Sequence, residues 1–393
     1  MATLSFLPWI LWNELSVGAS PPMLQAMCFN HLPFTVARLA VLAAACWFCP
    51  LRGGTDVAIA GPVTVVRADP HHQGTLLAGT ATALLYRSRD GAASWTKLSF
   101  PAELRSTLHA LMIDPARANV YLAAVTSEEP QYAGLFRSVD EGATWEQLHD
   151  LRHKQVWSLA ALSADGNVIA AGTEEGVFLT HDSGDNWTHI SSTRFVGPRP
   201  VVALAFDPAH RNVLYAGTPH LPWKTTDGGA TWRVIRKGMP DDSDIFSIDV
   251  DGARPRRLFA GACSGIYRSL DGGNTWASLE QAVGAQFRTY VVAHAPRSPD
   301  ALFVGTSAGL LQSLDGGVTW RQLSPRAARS IAFDPADSRR VFIATDQGVL
   351  RSQDGGAHFM AANQGLYVPS TTVAFERNDD VSRESSAGIR TKQ

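Results

Sequence analysis

Ser269-Leu270-Asp271-Gly272-Gly273-Asn274-Thr275-Trp276 is the fullest version of a phrase, Ser/Thr-x-Asp-x-Gly-x-Thr-Trp, that this chain spells seven times. The other copies occupy 88–95, 138–145, 180–187, 225–232, 313–320 and 352–359, the last ending in Phe359 instead of tryptophan. Their aspartates are Asp90, Asp140, Asp182, Asp227, Asp271, Asp315 and Asp354, with steps of 50, 42, 45, 44, 44 and 39 residues. A period in that range marks an array of small supersecondary units, each too small to bury its own faces.

The stretch 200–235 shows what one unit builds. Val201-Val202-Ala203-Leu204-Ala205-Phe206 is a short apolar run, and Asp207-Pro208 ends it, because proline has no N–H to continue a ladder. Val213 to Gly217, Trp223 to Thr225 and Trp232 to Ile235 make three more short runs. Four strands in about 40 residues, with no helical period between them, form a meander. The same skeleton recurs. First strands are expected to end at Asp69-Pro70, Asp114-Pro115, Asp165-Gly166, Asp251-Gly252, Ala295-Pro296 and Asp334-Pro335. Second strands are expected to end in Ala-Gly-Thr, as at 78–80, 171–173 and 216–218. Seven four-stranded units arranged radially predict an all-β, seven-bladed propeller.

The phrase joins the third strand to the fourth. Its aspartate is expected to accept hydrogen bonds from N–H groups two residues on. Glycine pairs such as Gly228-Gly229 supply positive φ. The tryptophan is expected to pack inward, and six of the eleven tryptophans hold this position.

The phrase resembles the Asp-box, or BNR repeat, and the likeness covers roughly residues 61–365. That superfamily of propellers includes sialidases, xyloglucan-active glycoside hydrolases, sortilin-type receptors and photosystem II assembly-factor propellers. The resemblance implies a structural role for the seven aspartates, not a catalytic or metal-binding one. Sialidase chemistry would imply an Arg-Ile-Pro motif, which is absent, and Arg288-Thr289-Tyr290 is only a superficial echo. Xyloglucan-active relatives use two propellers, and this chain has length for one. Gly265-Ile266-Tyr267-Arg268-Ser269 looks closer to the sortilin and hydrolase-like branch.

The 393 residues are 45% hydrophobic and carry a formal net charge of -2. That allows a large interior and gives no support for a nucleic-acid partner. Arg254-Pro255-Arg256-Arg257 reads as a solvated turn, and His71-His72 likewise. The four cysteines, Cys28, Cys46, Cys49 and Cys263, make no disulfide framework. No spacing suggests a metal or cofactor, and no catalytic residue is assigned.

Residues 1–60 lack the repeat. Leu39 to Leu51 is uncharged, a length that suits a signal-peptide core better than a membrane span. The expected organisation is therefore a signal-like or disordered segment over 1–60, the propeller over 61–376 and a disordered tail over 377–393. An extracytoplasmic location follows from that reading. Ser370 to Phe375 resembles one first strand too many. It would either close the ring on blade one or begin a truncated eighth blade.

Strand alternation puts the fourth-to-first and second-to-third connections on one face, where variable loops would carry function. The inner loops hold Arg105, Arg152, His153, Lys154, Arg194, Arg199, Arg236, Lys237, Arg288, Arg326 and Arg329, diluted by Asp150, Asp241, Asp242, Asp244 and Glu280. The outer ones hold Glu128, Glu129, Glu174, Glu175 and Asp346. A basic mouth inside an acidic rim is expected, with Tyr132, Phe195, Trp223, Phe287 and Tyr367 as exposed aromatics. The binding candidates are Trp223, Arg152, Lys154, Arg194, Arg236, Arg288 and Arg329, for a protein or glycan ligand. The favoured function is a non-catalytic binding or assembly scaffold. The alternative, a glycoside hydrolase, would need two opposed carboxylates from among Asp241, Asp242, Glu174 and Glu175.

Overall fold

The computed structural model describes residues 62–366, apart from 104, 163–164, 192–196, 280–286 and 297. They form seven four-stranded antiparallel sheets, each a single contiguous stretch of chain, and the molecule is a seven-bladed propeller. Blade four matches the sequence reading closely: its strands are Ala203–Phe206, Leu214–Gly217, Pro222–Thr225 and Arg233–Val234. In blade three the first strand, Val156–Leu162, ends earlier than expected. Asp165 opens the second strand instead of closing the first. The segments 1–60 and 377–393, and the strand-like run Ser370 to Phe375, lie outside the described residues.

Burial explains the composition of each strand. Second strands such as Leu258–Ala262 and Val341–Thr345 are buried at every position. Both faces meet neighbouring blades, so the run is continuously apolar where a half-exposed strand would alternate. Fourth strands are the opposite. Most are two residues long and polar, as in Thr96–Lys97, which blunts the outer edge of each sheet. The first strands of successive blades stand side by side around the axis.

The glycine of the Ala-Gly-Thr signal has a clear cause. A Cβ on Gly305 would sit 2.4 Å from the Ala328 carbonyl of the next blade, and one on Gly172 would sit 2.6 Å from that of Val201. Only a hydrogen at this position lets the next blade's first strand approach. The threonine that follows caps the hairpin: Thr306 Oγ1 donates to the Gly309 carbonyl at 2.8 Å, and Thr173 Oγ1 to that of Gly176 at 3.1 Å.

The ring closes by packing. Val63, Val66, Tyr86 and Trp95 of blade one share a core cluster with Phe342, Ala344, Val349 and Ala362 of blade seven. Ser330 Oγ donates to the Val66 carbonyl at 3.2 Å. The Trp95 backbone N–H donates to Gln364 O at 2.8 Å and its indole N–H to Ala362 O at 2.8 Å. Trp276 repeats this arrangement between blades five and four, through Lys237 O at 2.8 Å and Ile235 O at 2.6 Å. Trp145 and Trp320 are only partly buried, and their indoles donate within their own turns.

These differences order the tryptophans. Trp276→Ala removes a buried indole and two blades' shared contact, so it is expected to cost about 3–5 kcal/mol. Trp320→Ala is expected to cost less. Urea unfolding of both variants, at equal slope, measures the difference.

Candidate functional site

The repeated turn has one geometry in all seven copies. In blade four, Asp227 Oδ1 accepts from the Thr231 N–H at 2.9 Å and the Thr225 hydroxyl at 2.7 Å. Asp227 Oδ2 accepts from the Thr231 hydroxyl at 2.5 Å. Thr225 Oγ1 in turn accepts from the Gly229 N–H at 2.9 Å. The same backbone bond reaches Asp90, Asp140, Asp182, Asp271, Asp315 and Asp354 from four residues on, not two. The two-residue bond expected here belongs to a second ring of aspartates at the ends of the first strands. There Asp69, Asp114, Asp207, Asp251 and Asp334 accept from the N–H two residues on. These five are buried.

In five blades the side chain just before the turn ties it to the next blade. Arg87, Lys224, Arg268, Gln312 and Arg351 donate to the carbonyls of Glu141, Gly272, Gly316, Gly355 and Gly91 at 2.7–3.2 Å. The last of these closes the circle on blade one. The carboxylates of the seven turns are thus spent on their own loops. The Arg254 to Arg257 segment is not simply solvated. Arg257 is buried, and both Arg254 and Arg257 bridge Asp251 to Asp300 of blade six. His71 Nε2 lies 2.8 Å from the Asp114 carbonyl of blade two, so this turn too is an interblade contact.

The opposite face is less variable than expected. Several second-to-third connections are two-residue hairpins, among them Glu174-Glu175, Ser307-Ala308 and Asp346-Gln347. Length variation falls mainly on the fourth-to-first connections. Mouth and rim also neutralise one another. Lys154 pairs with Glu175 at 2.7 Å, Arg105 with Glu128 at 3.9 Å, Arg236 with Asp241 at 2.5 Å, and His220 with Asp242.

The named candidates therefore separate. Trp223 is 7% exposed and packs with Leu179, Val201 and Leu214 between blades three and four, so its indole is a core group. Phe287 is likewise buried. Lys154 is half-buried over the Phe178 ring, 5.4 Å from its centroid. Arg152, Arg236, Arg288 and Arg329 are exposed. Arg194, Phe195 and Tyr367 lie outside the described residues.

A feature of the innermost strands escaped the sequence reading. The register of first against second strand slips by one residue at Thr64, His109, Trp157, Phe246, Tyr290 and Arg329. Each slip sits near the start of its strand, at the loop face. The Arg329 guanidinium lies over the Tyr290 ring at 4.2 Å, and the Phe246 and Tyr290 rings are 6.1 Å apart. Deeper in, Arg67 bonds Ser330 Oγ at 3.2 Å, and enclosure by protein lowers its pKa. The same enclosure lowers that of His109, although its ring touches solvent. The only sequence signal was a bulky residue second or fourth in each first strand, which strand periodicity hides.

Glu174 differs from the other acidic groups of this face. Its Oε2 is buried without a hydrogen-bond partner, and desolvation raises its pKa. Among the described residues no group of three His, Cys, Asp or Glu side chains could hold a metal ion. No helix among them is long and apolar enough to cross a membrane.

No protein-family model matches the chain, and no curated protein matches it. Solved structures do. A GH74 xyloglucanase from Xanthomonas campestris is similar at TM-score 0.65 and 19% identity over 78% of this chain and 55% of that one. YCF48 bound to D1 peptide is similar at TM-score 0.58 and 19% identity, over 75% of this chain and 93% of that one. The extracellular domain of a hybrid two component system from B. thetaiotaomicron is similar at TM-score 0.60 and 14% identity, over 75% and 38%. The chain spans about half the length of the GH74 enzymes it matches. At these identities the likeness is one of fold.

The repeated turns give the protein an acid-sensitive element. The Thr231 hydroxyl, then its N–H, then the Thr225 hydroxyl hold the Asp227 carboxyl at about 2, below its ordinary 3.8. A depressed folded-state pKa adds stability above the unfolded value and loses it as pH falls from about 4 towards about 2. Asp227→Asn is expected to lower the thermal midpoint at neutral pH and to flatten its decline across that acid window. Thermal melts followed by circular dichroism across the window check both effects.

Proposed function

We propose that the protein is a non-catalytic propeller scaffold that holds a protein or glycan ligand on the face of its fourth-to-first loops. The observation that carries this reading is the disposition of charge there. Asp241 and Glu175 each pair with a neighbouring cation and Asp242 bonds the His220 ring, while Arg152, Arg288 and Arg329 make no ion pair among the described residues. Opposed free carboxylates are what glycoside hydrolysis requires. Unspent guanidinium groups beside aromatic rings suit recognition of an anionic or polar partner. The fold neighbours include both kinds of protein, enzymes and a peptide-bound propeller. An extracytoplasmic setting is part of the proposal, in keeping with the neighbour described as an extracellular domain.

Glu174 favours the second reading, a glycoside hydrolase, because a desolvated carboxyl is suited to general acid work. Two measurements separate the readings. Purified protein incubated with xyloglucan is expected to release no reducing ends. Release that disappears in Glu174→Gln would overturn the scaffold reading. A glycan array and affinity capture, repeated with the combined Arg152→Ala and Arg288→Ala variant, are expected to find a ligand whose binding weakens about tenfold or more.

A further inference from the structure

The slipped residues of the first strands make one tier. A β-bulge leaves its extra residue outside the ladder and re-aims the side chain. The first strands surround the axis, so a position expelled from the ladder lies on the axial side of its blade. Thr64, His109, Trp157, Phe246, Tyr290 and Arg329 all retain contact with solvent, as does Val202, which holds the corresponding place in blade four. The Thr64 hydroxyl donates to the Gly79 and Leu108 carbonyls and the His109 ring meets Thr126 Oγ1, so these two turn back to the blades. The tier holds one residue from each blade. Three are aromatic and none is acidic.

Arg329 is the informative member. It is exposed and has no hydrogen bond or ion pair among the described residues, yet it is stacked on Tyr290. Stacking fixes the plane of a guanidinium and leaves its N–H edges free for a carboxylate. The same contact covers one face of Tyr290, and Phe246 lies tilted beside that ring. A pyranose would need open aromatic faces. An aromatic or aliphatic side chain can pack against the edges that remain.

We propose that the tier is a recognition site for an acidic peptide segment carrying an aromatic side chain. A ligand carboxylate bonds Arg329, and the neighbouring aromatic group packs among Tyr290, Phe246 and Trp157. This narrows the binding reading given above and depends on it. The bulge is the building device, because it presents one recognition position per blade without lengthening any loop.

The probe is a fluorescently labelled copolymer of glutamate and tyrosine, with polyglutamate and a xyloglucan oligosaccharide as competitors, followed by anisotropy on the full chain. The copolymer is expected to bind, to bind more tightly than polyglutamate, and to weaken with added salt. Arg329→Ala and Tyr290→Ala are expected to lose about tenfold or more in affinity. Tyr290→Phe and Arg339→Ala, the latter on the opposite face, are expected to retain it. Arg329 is exposed, so its variant keeps the test valid if Tyr290→Ala unfolds. Copolymer binding that ignores Arg329, or equal binding of polyglutamate, overturns the proposal. So does displacement by the oligosaccharide through the same residues. If loop variants weaken binding while tier variants do not, the tier fails and the scaffold reading stands. If the copolymer does not bind, the tier fails. If the glycan array and affinity capture are also empty, the scaffold reading falls with it.

Discussion

The second strand of each blade is buried on both faces, and the first strand of the next blade presses onto it across a small residue, glycine in five blades and Ala124 or Ala344 in the other two. Nothing within one blade can cover that surface. The unit is stable only as part of a series, and the series is stable only if its ends meet. In this molecule the ends meet through side chains. Trp95 gives both of its N–H groups to carbonyls that follow blade seven, and Arg351 reaches Gly91 as its counterparts reach their own neighbours. Among the described residues, the seam between blades seven and one shares its tryptophan and turn-tying bonds with the seam between blades four and five.

That constraint divides the two faces of the ring. On one, polar groups are consumed by the architecture. The turn aspartates bond their own loops, the strand-end aspartates bond theirs, and cations link several blades to the next. Buried pairs such as Arg257 with Asp251 belong to this face. Removing one partner of such a pair would strand the other, so its residues are bound to the fold. On the other face the ion pairs are exposed and individually weak, so charge there can change without threatening the ring. A scaffold that separates its structural polar groups from its surface ones can alter its ligand while keeping its shape.

Much of this was legible in the residues. The period of the Trp-ended phrase counted the blades, and Asp-Pro and Ala-Gly-Thr marked strand ends. The face assignment followed from strand alternation. The site was less legible. Trp223 reads as a surface aromatic because it follows Pro219-His220-Leu221-Pro222, yet it packs in a core that the adjacent blade completes. The basic mouth and acidic rim were read by loop, yet Arg329 belongs to a first strand, and counting cannot pair Lys154 with Glu175, which bond across one blade from 21 residues apart in sequence. The bulges were invisible because one extra residue in a first strand of six to eight residues leaves no separate mark in so short a pattern.

By itself the chain determined the number of blades, their internal strand order and the chemistry of their turns, because those rest on contacts within about 40 residues. The tertiary structure alone decided how the ring closes, which cations remain unpaired and which residues slip out of the first-strand ladders. Those outcomes depend on contacts between blades, where the neighbouring surface is supplied by residues that local sequence cannot see. Ser330 and Val66, 264 residues apart, meet only because the accumulated turn of seven blades brings them together.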